Sequence, residues 1–128
     1  MTLGEYLSIV GGRPWAWGRP KDDCCEFAAW WWSSLGNPDP MAMWRGKYRS
    51  ENGARRVIKR NGGLLRIWID TLGPPGNGPA REGDVAIVTL AGHEAGAIYT
   101  GRRWAIRSER GWVAASLDSE NVLGIWNR

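Results

Sequence analysis

Residues Asp23 to Leu35 read DCCEFAAWWWSSL. Asp23 and Glu26 have the spacing of a capping box, with Asp23 as the expected N-cap, and an apolar run follows at once. The spacing predicts a helix from Cys24 to about Leu35, stopped by Gly36, Asn37 and Pro38. Phe27, Ala28, Ala29, Trp30, Trp31 and Trp32 make this helix apolar nearly all round. Such a helix is expected at the centre of a domain, buried against a sheet or against other helices.

Outward toward the N-terminus, Gly11 to Lys21 is a loop rich in Gly, Pro and Trp, with Trp15 and Trp17 alternating along an extended piece. Before it, Thr2 and Glu5 repeat the capping-box pattern ahead of a two-turn helix that ends at Gly11 and Gly12. In the other direction Asn37 to Arg49 is irregular. Helical periodicity returns over Glu51 to Arg60 and over Leu64 to Leu72. The outward face of the first carries Arg55, Arg56, Lys59 and Arg60, which reads as a solvated surface. GPPGNGP at 73–79 is a linker or surface turn.

Beyond it the apolar period changes from 3.6 to 2. Strands are expected at 84–90, 95–100, 104–108, 111–116 and 122–126, with residues 91–94 as a hairpin turn. A helical half followed by an antiparallel meander is an α+β pattern. At 128 residues the chain is expected to form one domain, residues 1–128.

Composition narrows the function classes. Apolar content of 43% excludes disorder and fibrous classes. Ten tryptophans exceed what a core of this size needs, so some are expected to line a groove or meet a partner. The net charge of +4 favours an anionic partner in general, and nucleic acid, cell-wall polymer and acidic protein all fit it. No nucleic-acid recognition motif matches, and the tryptophans lie away from most of the strand arginines, so nucleic acid is not the expected partner. The N-terminal residues lack the pattern of a signal peptide, and no stretch reaches transmembrane length. Two adjacent cysteines make no disulfide framework, and no metal-ligand spacing accompanies the single histidine; neither metal nor cofactor is expected.

Cys24 is the residue on which an enzymatic reading turns. At the mouth of a helix its thiolate would meet free backbone N–H groups and the positive dipole end, both of which lower a thiol pKa. Those N–H groups could also form an oxyanion hole, with Asp23, Cys25, Trp15, Trp17 and Gly18 around the cleft. The alternative is a cysteine that merely packs, the reading favoured for Cys25, about 100° further round the turn. A thiol hydrolase needs a base. The chain offers His93, beside Glu94 as an orienter, in a predicted turn, where a histidine is mostly exposed and without a task.

The order of features resembles the NlpC/P60 cysteine peptidases. The resemblance lies in Trp15-Ala16-Trp17-Gly18, in Asp23-Cys24-Cys25 opening an apolar helix, in REGDVAIV at 81–88 and in AGAIYTG at 95–101. The chain is more closely similar to small NlpC/P60-like proteins of phage and prophage tail modules. Those share a W-R-G-x-Y segment, here Trp44 to Tyr48, and a G-A-x-R helix, here Gly53 to Arg56. The resemblance implies a papain-like fold and a peptidoglycan endopeptidase cleaving stem peptides, with Cys24 matching the nucleophile. It also implies a place in the phage tail, among other tail or baseplate proteins. The family's catalytic histidine falls on Ala95, two residues beyond His93, and its third polar residue near Arg107 or Ser108. A non-catalytic structural or wall-binding tail protein is therefore the other reading.

Overall fold

The computed structural model describes all 128 residues, which form four helices and a five-stranded antiparallel sheet, an α+β fold. Helix α1 spans Leu3–Val10, and its Thr2 Oγ1 accepts the Glu5 N–H at 3.1 Å as the capping pattern predicts. Helix α2 spans Glu26–Ser34, α3 Glu51–Arg60 and α4 Leu64–Leu72. Strands follow at Val85–Leu90 (β1), His93–Tyr99 (β2), Trp104–Arg107 (β3), Trp112–Ala115 (β4) and Val122–Trp126 (β5). Their order in the sheet is β4-β3-β2-β1-β5. A short 3-10 turn at Ser119–Asn121, which the sequence pattern does not reveal, leads into β5.

Strand alternation divides the core in two. Val85, Ile87, Ile98 and Ala105 pack beneath the helices with Phe27, Trp31 and Trp68. Ala86, Val88, Ala95, Ala97, Trp104 and Ile106 point the other way and form a second, smaller core. Cys24 touches both clusters, so the turn before α2 sits where the two cores meet. Helix α2 is held there by long-range polar contacts. The Trp31 indole donates to the Gly83 carbonyl at 2.9 Å, and Tyr6 donates to the Phe27 carbonyl at 2.6 Å.

Two expectations about boundaries need correction, and both bear on the site. Helix α2 begins at Glu26 rather than Cys24, because Cys24 and Cys25 form a turn ahead of it. The residues 91–94 do not form a four-residue turn. Ala91 and Gly92 alone make it, both with positive φ (49° and 81°), and Leu90 pairs directly with His93. Two left-handed residues between paired strands fit the right-handed strand twist, as a tight hairpin requires. His93 and Glu94 therefore belong to β2. The 73–79 segment lies along the outer sheet edge, with the Gly76 N–H donating to the Ile125 carbonyl at 2.8 Å.

Candidate active site around Cys24

Asp23 organises the entrance to α2. Its carboxylate is wholly buried and accepts four hydrogen bonds. Oδ1 takes the N–H groups of Cys25 (2.7 Å) and Glu26 (2.8 Å), while Oδ2 takes the Gly18 N–H and the Tyr48 hydroxyl, both at 2.8 Å. Its own carbonyl accepts the Phe27 N–H at 3.0 Å, so Asp23 does the capping although regular helix starts three residues later. The expected return bond from Glu26 is not made. That side chain is buried and paired with Arg45 at 2.7 Å. Burial pushes the Glu26 carboxyl up to about 7 against the opposing hydrogen bonds from Arg45.

These bonds change the roles of three residues expected around the cleft. Asp23 is a buried strut with its acceptors filled. Gly18 is part of the same knot rather than a cleft wall: its φ is 79°, and a Cβ there would lie 2.1 Å from the Tyr48 carbonyl oxygen. Cys25 is 1% exposed and its N–H is spent on Asp23, so it offers nothing to a substrate. Its sulfur lies 3.9 Å from that of Cys24. That hydrogen bond, followed by burial, drives the Cys25 thiol well above its ordinary range, so Cys25 stays protonated. Of the N–H groups at the helix mouth expected to be free for an oxyanion, those of Cys25 and Glu26 are consumed by Asp23. The Cys24 N–H is in no hydrogen bond.

Cys24 itself is half-buried and opens into a cleft of about 630 Å³. Trp15, Trp17, His93 and Ala95 line the same cleft, with Arg55 and Lys59 of α3 opposite. The two indoles meet edge to face at 5.0 Å. Their loop is tied to the β3–β4 turn by the Trp15 N–H, which donates to the Glu109 carbonyl at 2.8 Å. Strand β2 is tied to the cysteine turn by the Gly96 N–H, which donates to the Cys24 carbonyl at 2.8 Å. Gly96 has to be small, since a Cβ would stand 3.0 Å from that of Ala28. Ala95 and His93 are alternate residues of β2 and share one strand face, so the exposed His93 stands one step, about 6.8 Å, further along the cleft than Ala95.

Neither expected orienter is available to His93. The Glu94 carboxylate accepts the N–H groups of Leu64 and Leu65, each at 3.0 Å, and caps α4. Arg107 is buried and donates to the carbonyls of Lys21, Ser108, Gly111 and Pro14 and to Asp22 at 2.8 Å. Asp22 also receives Arg13 and Arg19. Burial opposes its charge, yet those three guanidinium groups hold its carboxyl far below the usual range. The result is a cross-brace between the tryptophan loop and β3. Ser108 is turned to the Arg110 carbonyl.

A family model described as a domain of unknown function, DUF6950, matches residues 1–127. The chain belongs to the DUF6950 family. No curated protein and no solved structure matches it. No helix of this DUF6950 protein is long and apolar enough to cross a membrane.

Several residues of the site escaped the sequence reading. Tyr48 and Arg45 buttress the entrance to α2 by way of Asp23 and Glu26, and the signal for them was the Trp44 to Tyr48 segment itself. Glu51, Arg55 and Lys59 reach the cleft rather than forming a purely solvated face. Their i, i+4 spacing puts all three on one stripe of α3.

Proposed function

We propose that this protein is a thiol hydrolase of the NlpC/P60-like kind, with a papain-like arrangement, that acts as a tail component of a phage on peptidoglycan stem peptides. The observation carrying this is that Cys24, at the entrance to α2, shares one tryptophan-walled cleft with the chain's single histidine. The Cys24 thiolate attacks the scissile carbonyl carbon, and the resulting oxyanion accepts the free Cys24 N–H. His93 takes the thiol proton and returns it to the leaving amine. Water, deprotonated by His93, then cleaves the thioester and restores the thiol.

Incubation with purified peptidoglycan tests this by release of new amino termini. Cys24→Ala abolishes release, and His93→Ala lowers it by about 10²–10⁴-fold. Release that persists in Cys24→Ala refutes the assignment. A second reading, a non-catalytic structural or wall-binding tail protein, is favoured by Ala95 at the position where the NlpC/P60 resemblance puts the histidine, and by the engagement of Glu94 and Arg107 elsewhere. It predicts no release by the native protein together with co-sedimentation with virions.

A further inference from the structure

Every charged side chain around the cleft but one has a partner. Arg55 is paired with Glu51 at 2.7 Å, Arg107 with Asp22, and Glu94 spends both oxygens on the amino end of α4. Lys59 lines the cleft in no ion pair or hydrogen bond. The direction of α3 places this charge. Its first residue, Glu51, borders the outer surface of the Trp15–Trp17 pair, whereas Gly63, just past its last turn, lies against Glu94. Helix α3 thus runs along the cleft from the indoles to the β1–β2 hairpin, and Lys59, in its last turn, stands at the His93 end.

We infer that the His93 end of the cleft is a carboxylate subsite, with Lys59 as its anchor and the Trp15–Trp17 pair receiving the apolar part of the same ligand. The preferred ligand is a peptide bearing a free carboxylate on the His93 side of the bond facing Cys24. An ammonium with no acidic partner attracts an anion, and indole walls bury apolar surface at low entropy cost. This deepens the hydrolase reading and rests on the same cleft.

The test uses the native thiol as the reporter and needs no hydrolysis. Cys24 is alkylated at pH 8 with iodoacetate and, separately, with the neutral iodoacetamide, with single additions followed by mass spectrometry and Cys24→Ala as the blank. The iodoacetate-to-iodoacetamide rate ratio at Cys24 is compared with that of N-acetylcysteinamide. It should exceed the small thiol's by roughly threefold, as one unscreened cation nearby implies. Lys59→Gln brings the ratio close to that of the small thiol, Lys59→Glu takes it below, and about 1 M salt collapses the difference. A ratio equal in the native, Lys59→Gln and Lys59→Glu proteins overturns the subsite. If the ratio depends on Lys59 while peptidoglycan yields no new termini, the hydrolase reading fails and the anion subsite stands. Release with a Lys59-independent ratio is the reverse case.

Discussion

Replacing Asp23 by Asn removes one charge and one acceptor atom at the carboxylate that ties the cysteine turn to the Gly18 loop and Tyr48. In the native protein each oxygen accepts two hydrogen bonds, at 2.7 to 2.8 Å. The amide keeps one oxygen, best used for the Cys25 and Glu26 N–H groups at the helix entrance. Its NH₂ then faces two donors. Tyr48 can reverse its hydroxyl and accept, but the Gly18 N–H cannot, and it lies where a positive φ and the Tyr48 carbonyl leave no room to turn. One charge-assisted bond is lost outright and one is replaced by a neutral one. With about 1.5–3 kcal/mol for a bond to a charged group and about 1–3 kcal/mol for an orphaned buried donor, the cost is roughly 3 kcal/mol. Tyr48→Phe removes a single donor and orphans nothing, so about 1.5 kcal/mol is expected. Urea unfolding followed by tryptophan fluorescence measures both, and the midpoint should shift without a change in slope. Asp23→Asn within about 1 kcal/mol of native, or costing no more than Tyr48→Phe, would refute the view that this carboxylate holds the cysteine turn in place.

Two further outcomes follow from the buried charges and from the strand face. Glu26 has a folded-state pKa raised from 4.5 to about 7, so the folded state holds a proton that the unfolded chain has lost between those values. Its stabilising contribution is complete below about pH 4.5 and falls as pH rises to 7, by on the order of 2–3 kcal/mol. Glu26→Gln should flatten the urea midpoint over that interval, and an unchanged slope would remove Glu26 as its source. Asp22 acts in the opposite sense, because its lowered pKa means stability lost only as pH falls below its ordinary range. Ala95→His places an imidazole on the cleft-lining residue of β2 beside the Cys24 turn, and should lower the pH midpoint of Cys24 alkylation. An unchanged midpoint in a folded variant would show that this position does not address the thiol.

The sequence pattern was most informative where it depends on local geometry. Helices α1, α3 and α4 and strand β5 lie where periodicity and breakers put them, and the change of period near residue 80 marks the passage from helices to sheet. Contacts distant in sequence were beyond its reach. Nothing local tells that Tyr48 donates to Asp23 across 25 positions, or that Arg107 braces the tryptophan loop across 93. The capping-box spacing at Asp23 and Glu26 was half informative for the same reason: the Asp caps, while the Glu is claimed by Arg45, 19 residues away.

The hairpin at Ala91 and Gly92 shows what such a local detail does to function. A four-residue turn would lift His93 out of the sheet and free its side chain from any defined face. A two-residue turn puts it on the β2 face that carries Ala95, because strand alternation leaves no other choice. Its reach toward the thiol is then set by the strand step, about 6.8 Å beyond the residue on which the resemblance places the base. Both residues lie on the cleft face, so Ala95→His and His93→Ala should move the Cys24 pH profile in opposite directions. That opposition is what a shared strand face requires, and a turn histidine would not produce it.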